Sequence, residues 1–207
     1  MHNVTKIEEF KDKRYKIYID QEFAFVLYKG ELRIYGIEEG KEITKETMDE
    51  ICNVILPKRA KLRSMNLLQK RLYTRSELKR KLMDGCYPEA VIEEAIAYVE
   101  GYGYINDNTY VKQYFACKSA KRSKMKMQLE LRNKGISKEC LEEVFGEMDP
   151  SIIIQCECTA IKRELRKRNY LYDAASYEER QKTISFLRNK GYEISLIKDV
   201  MDGNYLT

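Results

Sequence analysis

The sequence predicts a mainly α-helical protein, built from a helical repeat array that follows a small antiparallel β-meander. The array is predicted by one apolar pattern that occurs three times, with copies starting at Leu82, Leu131 and Leu187. The meander is predicted near the N-terminus, where runs of aromatic and branched residues alternate with turn residues. The chain has 207 residues, of which 43% are hydrophobic, so it contains enough apolar material for several small cores.

Each copy of the pattern predicts a helix, a tight turn and a second helix with apolar residues at i, i+1 and i+4. The positions are Leu82, Cys86, Tyr87, Val91, Ile92 and Ala95; Leu131, Gly135, Ile136, Cys140, Leu141 and Val144; and Leu187, Gly191, Tyr192, Leu196, Ile197 and Val200. Gly135 and Gly191 follow predicted helix ends, where a left-handed residue closes the turn. Tyr87 and Tyr192 share the apolar position of Ile136 and are therefore predicted to lie in the core.

Capping signals predict where the helices begin. The capping-box pairs are Thr47 with Glu50, Thr74 with Glu77 and Ser176 with Glu179, and Asp149-Pro150 marks another start. The predicted helices are 44–55, 58–72, 75–84, 89–102, 107–119, 121–133, 138–146, 150–168, 176–190 and 194–202. Three strands are predicted before them, at 15–19, 22–28 and 32–37.

Catalytic chemistry has little support in the sequence. The only histidine is His2, and neither a P-loop nor a dinucleotide-binding fingerprint is present. The six cysteines lie in no metal-binding spacing, and the N-terminus has no apolar signal segment, so they are expected to be reduced and buried thiols. We therefore expect a non-enzymatic cytoplasmic protein with no cofactor, no bound metal and no membrane-spanning segment.

The charges are segregated by sign, although the net charge is only +5. Residues 57–82 hold ten Lys or Arg and one acid, and residues 108–129 hold six Lys or Arg and no acid. The candidate binding residues are Arg71, Arg75, Lys79, Arg80, Lys81, Lys121, Arg122, Lys124, Lys126, Arg166, Lys167 and Arg168. Positive charge beside tyrosines suits nucleic-acid phosphates and bases, and equally an acidic protein surface. Solubility alone does not require such segregation.

Four motifs occur in an order that resembles a known family. They are TRSELKRKL at 74–82, VIEEAI at 91–96, GYIND at 103–107 with Tyr110, and LELRNKGI at 129–136. Over about residues 58–202 this order resembles the RecX family, bacterial regulators of the RecA recombinase. The resemblance implies three tandem three-helix repeats in an elongated, curved all-α body. The strands near residues 14–25 resemble the N-terminal extension of members from Gram-positive bacteria.

The implied organisation is a β extension at 1–43, a linking helix at 44–57 and repeats at 58–105, 106–148 and 149–207. The family function it implies is binding along the RecA–single-stranded DNA filament, where RecX-like proteins block strand exchange and ATP turnover. Homologous recombination, DNA repair and the SOS response would thereby be modulated. The expected partners are the RecA filament and, weakly, single- or double-stranded DNA, with the protein acting as a monomer.

Two features of the sequence depart from or extend beyond this resemblance. The first repeat has Gly85-Cys86 where the family tends to have Lys-Gly, so its turn is expected to shift by one residue. The N-terminal strands could either aid filament grip or cap the first repeat.

Two other functions fit the same residues: a stand-alone, sequence-independent nucleic-acid-binding repeat protein, and a helical scaffold for an acidic partner. The sequence also leaves open whether filaments are capped, coated or stripped of protomers, and which cations touch protein or phosphate.

Overall fold

A computed structural model describes residues 2–172 and 174–204. The chain forms two compact units, one ending at Asn106 and the other beginning at Asp107. The first unit contains β1 (His2–Phe10), β2 (Arg14–Ile19), β3 (Glu22–Tyr28), α1 (Lys29–Ile34), β4 (Glu42–Ile43), α2 (Lys45–Glu50), α3 (Leu56–Leu68), α4 (Arg75–Met83) and α5 (Glu89–Gly101). The second contains α6 (Asp107–Lys118), α7 (Lys124–Asn133), α8 (Lys138–Glu147), α9 (Pro150–Lys167), α10 (Tyr177–Asn189) and α11 (Ile194–Met201). The predicted mainly helical fold with three-helix domains is confirmed, while the predicted domain boundaries stay predictions.

The N-terminal sheet has four antiparallel strands in the order β3-β2-β1-β4. Ile17 of β2 lies opposite both Ile7 of β1 and Phe25 of β3. Ile17 and Phe25 are fully buried in one core that also contains Leu56 and Leu78 from the helices. The sheet therefore shares its core with the first three-helix domain, which compensates for the low stability expected of a small isolated sheet.

One strand prediction is wrong, and strand β1 of the sheet is not predicted. Residues 32–37 do not form a strand, because α1 covers Lys29–Ile34 and packs Leu32 and Tyr35, at helical spacing, against the core. His2–Phe10, for which no strand is predicted, forms β1, in which only Val4 is buried. In a strand with so many charged residues, apolar and polar residues alternate too weakly to predict a strand from the sequence.

The helices mostly agree with prediction. Thr74 and Ser176 are the N-caps of α4 and α10, each within a complete capping box. The first of the predicted helices begins after Thr44 and not at the Thr47–Glu50 pair, because the Thr44 hydroxyl accepts a hydrogen bond from the Thr47 amide and caps α2. The predicted break at 55–58 is also wrong, because helical backbone continues from α2 to α3 through a π-helical segment, Ile51–Ile55. This segment precedes Pro57, which lacks the amide hydrogen that a regular helix requires.

The second unit has two hydrophobic clusters, one for each three-helix domain. The cluster of α6–α8 includes Val111, Met127, Leu131, Leu141 and Val144. The cluster of α9–α11 includes Ile161, Leu165, Leu187, Tyr192, Ile197 and Val200. The repeated apolar pattern therefore forms these cores, and Tyr192 is buried as predicted, while Tyr87 is partly buried against the core of the first unit.

The three turns share one backbone conformation. Cys86, Gly135 and Gly191 have φ angles of +57°, +83° and +87°. In each turn the following amide donates to the carbonyl of the repeat leucine, as between Ile136 and Leu131 at 3.1 Å. The turn of the first copy therefore does not shift, because Cys86 adopts the left-handed conformation itself.

Replacing Cys86 by glycine is expected to stabilise the first unit by about 0.5–1 kcal/mol, because glycine takes a positive φ without the steric penalty of a Cβ. A urea titration followed by circular dichroism measures the change. Gly135→Ala is the matched opposite change, and we expect it to destabilise by about 1 kcal/mol. A lower unfolding midpoint for Cys86→Gly would contradict this account of the turn.

The six cysteine side chains are all free thiols. Cys158 is buried, Cys117 is exposed, and the other four are half-buried. The prediction of buried thiols is therefore correct only for Cys158.

Candidate functional site

The second unit contains a cleft whose lining is strongly basic. It consists of two adjoining recesses of about 500 Å³ each, which share Lys121, Arg163 and Lys167. Its basic side chains, which define the basic cleft below, are Lys118, Lys121, Arg122, Lys126, Lys162, Arg163, Arg166, Lys167 and Lys190. Glu164 is the single acid in the lining. Such an excess of cations favours a polyanionic ligand.

The two sides of the basic cleft are joined by hydrogen bonds at Ser123. Its hydroxyl donates to the Lys190 carbonyl at 2.6 Å and accepts from the Lys126 amide at 3.2 Å, which caps α7. The Lys124 amide donates to Glu157 of α9 at 2.7 Å. A Cβ on Gly191 would lie 2.9 Å from the Ser123 oxygen, so only glycine permits this approach. The backbone conformation at Gly191 and the helix cap at Ser123 therefore hold the two sides of the cleft in place.

Glu164 lies below the surface of the cleft and binds two of its lysines. Its carboxylate oxygens accept from Lys167 at 2.9 Å and from Lys190 at 2.5 Å. Burial opposes ionisation of Glu164, but the hydrogen bonds from Lys190 and Lys167 outweigh it, and the pKa of Glu164 falls below its ordinary value. Beside it, burial raises the pKa of Tyr192 to about 12, so this phenol is neutral at pH 7.

Glu164→Gln is expected to lower the stability of the second unit while tightening nucleic-acid binding. The change leaves Lys167 and Lys190 without a counter-ion, and because both are about half exposed we expect a loss of only about 1–2 kcal/mol. It also removes the one acid of the lining, which should tighten single-stranded DNA binding about threefold. Thermal unfolding measures the change in stability, and fluorescence anisotropy measures the change in DNA affinity. Weaker DNA binding by a folded variant would contradict the assignment of Glu164 as a residue that repels DNA phosphates.

The ionised Glu164 also makes stability depend on pH. Since its folded-state pKa is depressed, its contribution is present at neutral pH and is lost as the pH falls through the folded-state pKa. The difference in the free energy of unfolding between wild type and Glu164→Gln should therefore decrease as the pH is lowered.

Most of the first predicted group of cations is held in ion pairs within the first unit. Arg75 binds Glu93 at 2.7 Å and Glu100 at 3.0 Å, and Lys79 binds Glu93 at 2.7 Å and Glu89 at 3.0 Å. The carboxylates hold the pKa values of both cations above their ordinary values. Arg75 and Lys79 thus carry little net charge toward a ligand.

The other three members differ in their surroundings. Arg71 lies 3.6 Å from Glu77 and over the ring of Tyr73, and Lys81 lies 3.8 Å from Asp84. Arg80 is exposed and forms no ion pair within the described residues.

The structure brings five of the remaining candidates into the basic cleft: Lys121, Arg122, Lys126, Arg166 and Lys167. Lys124 instead lies over the ring of Phe145, and Arg168 over the ring of Phe186. The candidate set omits Lys118, Lys162, Arg163 and Lys190, which complete the lining. Lys190 could have been found from its place in the third copy, one residue before the turn glycine.

Other kinds of site have no support in residues 2–172 and 174–204. These residues contain no group of three His, Cys, Asp or Glu side chains that could hold a metal ion. His2 belongs to β1 and contacts Asp20 at 2.9 Å. Within the same residues, each helix is too short or too polar to cross a membrane.

Comparisons with known proteins agree with this architecture. Residues 60–98 match the model of the first three-helix domain of RecX, and residues 155–201 match that of the third. A crystal structure of regulatory protein RecX superposes with a TM-score of 0.62 at 22% identity, covering 96% of this chain and all of the other. RecX from Lactobacillus salivarius gives a TM-score of 0.61 at 22% identity over 74% of this chain and 99% of the other.

The sequence relatives extend over nearly the whole chain. The regulatory protein RecX of Clostridium perfringens is 28% identical, with both chains fully covered. That of Caldanaerobacter subterraneus subsp. tengcongensis is 31% identical over 197 residues, which cover 95% of this chain and 96% of the relative. With this identity over nearly the whole of both chains, and with the three-helix domains in place, the chain belongs to the RecX family of regulatory proteins.

Proposed function

We propose that this protein binds the RecA–single-stranded DNA filament and inhibits its recombinase and ATPase activity, without catalysis of its own. The observation that carries the proposal is the basic cleft, which presents nine cations and one buried acid in a chain of the RecX family. A filament that contains DNA offers phosphates to such a lining. The protein would act as a monomer in the cytoplasm, where it would modulate homologous recombination, DNA repair and the SOS response.

The basic cleft is the main contact surface in this proposal. Lys121 and Arg163 line both recesses and form no ion pair within the described residues, so their charges are available to a ligand. Arg80 of the first unit is a second point of contact. Two weak contacts on one chain raise each other's effective concentration, which suits a regulator that acts on a repeating polymer.

The test is the DNA-dependent ATPase activity of RecA on single-stranded DNA, titrated with this protein well below the concentration of RecA. We expect strong inhibition at substoichiometric amounts. At these amounts the protein cannot sequester the DNA lattice, so inhibition would have to act through the filament. Adding the protein before and after filament assembly separates blocked assembly from loss of existing filaments.

The basic cleft also favours a second function, a stand-alone nucleic-acid-binding protein with no recombinase partner. Binding to naked DNA through phosphates should weaken steeply as salt rises, whereas an interface that includes protein should be less sensitive. Unchanged ATPase activity at protein concentrations that shift naked DNA would support this second function and contradict the first.

A further inference from the structure

Three tyrosine rings form a ladder on the surface of the first unit. Tyr98 lies in α5, Tyr102 follows one turn later, and Gly103, with a φ of +70°, turns the chain so that Tyr104 lies beside Tyr102. The centroids of Tyr98 and Tyr102 are 4.9 Å apart, and those of Tyr102 and Tyr104 are 6.0 Å apart with an interplanar angle of 17°. These three residues define the tyrosine ladder.

The tyrosine ladder is not part of the hydrophobic core. Its members Tyr98, Tyr102 and Tyr104 expose 36%, 63% and 52% of their surface, whereas the adjacent Val99 and Ile105 are buried. The turn is held by the backbone bond from the Tyr104 amide to the Val99 carbonyl at 2.9 Å. Three contacting aromatic rings in solvent are not required by packing, and exposed apolar patches of this kind mark binding sites.

Cations flank the tyrosine ladder on the neighbouring helix α3 and just after its end. The Lys61 ammonium lies 5.2 Å from the centre of the Tyr98 ring, but it forms an ion pair with Glu94 at 2.7 Å and so presents little net charge to a ligand. Beside Tyr104 is a recess of about 290 Å³ that Met65, Leu68 and Gln69 also line. Lys70 follows directly, is exposed and forms no ion pair within the described residues. The surface therefore combines aromatic faces, a side-chain amide and positive charge.

We infer that the tyrosine ladder binds single-stranded nucleic acid by stacking on its bases, with Lys70 beside the phosphates. Aromatic platforms with nearby cations are the general means of holding single strands without sequence preference. Because neighbouring rings already contact each other, a base stacks on an exposed ring and does not insert between two of them. The inference rests on the proposed function for its biological setting, since it gives the first unit its own contact to filament DNA.

The test measures binding to two fluorescent oligonucleotides in the absence of recombinase, by anisotropy. One is a fifteen-nucleotide oligothymidylate, and the other is an abasic strand of equal length that keeps the phosphates but lacks the bases. Tyr102→Ala with Tyr104→Ala is expected to weaken oligothymidylate binding at least about tenfold, because each stacked base contributes roughly 1–3 kcal/mol. The abasic strand should bind all variants equally, and the slope of log affinity against log salt should not change.

Two controls keep the result interpretable. Tyr102→Phe with Tyr104→Phe retains the rings and should bind oligothymidylate like wild type. Tyr177→Ala removes a tyrosine of α10 that is 77% exposed, outside the tyrosine ladder, and should have no effect. The circular dichroism spectrum confirms that each variant is folded.

Two results would overturn the inference. One is unchanged oligothymidylate binding by the double alanine variant, and the other is an equal loss on the abasic strand. If the first result came together with lost inhibition of the RecA ATPase, the tyrosine ladder would be assigned to a protein partner. If wild type failed to inhibit the ATPase while the ladder variant lost base-dependent binding, the proposed function would fail and this site would stand.

Discussion

Charge reversal in the basic cleft, with Lys121→Glu and Arg163→Glu together, should weaken single-stranded DNA binding about 100-fold. Each reversal replaces an attraction to phosphate by a repulsion, and four units of charge at roughly 0.5–1 kcal/mol each give this magnitude. Both side chains are exposed and line both recesses, so the fold should tolerate the change. Inhibition of the RecA ATPase should be lost over the same concentration range.

The measurement is anisotropy of labelled oligothymidylate over a series of salt concentrations. Loss of two phosphate contacts should reduce the slope of log affinity against log salt by about 1.4, since each contact on a single strand contributes about 0.7. The matched control is Arg132→Glu with Lys198→Glu, which changes the net charge equally on exposed positions that lie outside the basic cleft and, like the cleft pair, form no ion pair within the described residues. If the control pair weakened binding as much as the cleft pair, net charge and not the cleft would govern affinity.

Arg59→Ala should destabilise the first unit by about 2–4 kcal/mol. The guanidinium binds Glu31 at 2.8 Å and the Val26 carbonyl at 2.6 Å, and it faces the rings of Tyr28 and Tyr87. The Arg59 and Glu31 side chains are only 14% and 22% exposed, so removing the arginine takes its counter-ion from a shielded carboxylate, which keeps only the Tyr28 amide as donor, and takes a donor from the Val26 carbonyl. Arg59 thereby attaches β3 and α1 to helix α3.

Hydrogen–deuterium exchange by mass spectrometry resolves this effect within the chain. Peptides from β2, β3 and α3 should exchange faster in Arg59→Ala, whereas peptides from α9–α11 should not change. Arg33→Ala is the control, since Arg33 is exposed on α1 and forms no ion pair within the described residues. Unchanged exchange in β3 would show that the sheet does not depend on Arg59.

The same pair of variants addresses the role of the N-terminal strands, which the sequence leaves open. The shared core and the Arg59 contacts support the role of capping the first repeat. If Arg59→Ala loosened the strands while ATPase inhibition remained normal, a direct role of the strands in filament grip would lose its support.

The helices were predictable because their signals are local. The Asp149-Pro150 start, the capping box at Thr74 and the turn glycines each act within a few residues, and they place α4, α9 and α10 to within a residue or two. Residues 32–37 were harder, because Leu32 and Ile34 alternate like a strand around Arg33, while Leu32 and Tyr35 also suit one helical turn. In such a short segment, packing on the core decides between the two periods.

The basic cleft could be predicted only in part. Its cations come from three segments of the chain, and Lys190 is 67 residues from Ser123, whose hydroxyl bonds its carbonyl. Charge runs identify Lys121 and Arg166 as basic, but they do not reveal that Arg75 and Lys79 are neutralised by acids of α5. Those ion pairs depend on how α4 and α5 pack against each other. The spacing of residues along a single helix does not reveal this packing.

Because Ser123 lies so close to Gly191, the three copies of the repeated pattern cannot be exchanged for one another within the chain. Gly135 and Gly191 both have a left-handed backbone, and Gly191 must also leave room for a hydroxyl from the preceding domain. In a chimaera that placed the Cys86 turn at this point, the cysteine side chain would clash with the Ser123 oxygen. The clash would separate the two domains at this contact. Because Gly191 has no side chain, the last two domains can pack in this order. A redesign that exchanges repeats would therefore have to move these two domains together.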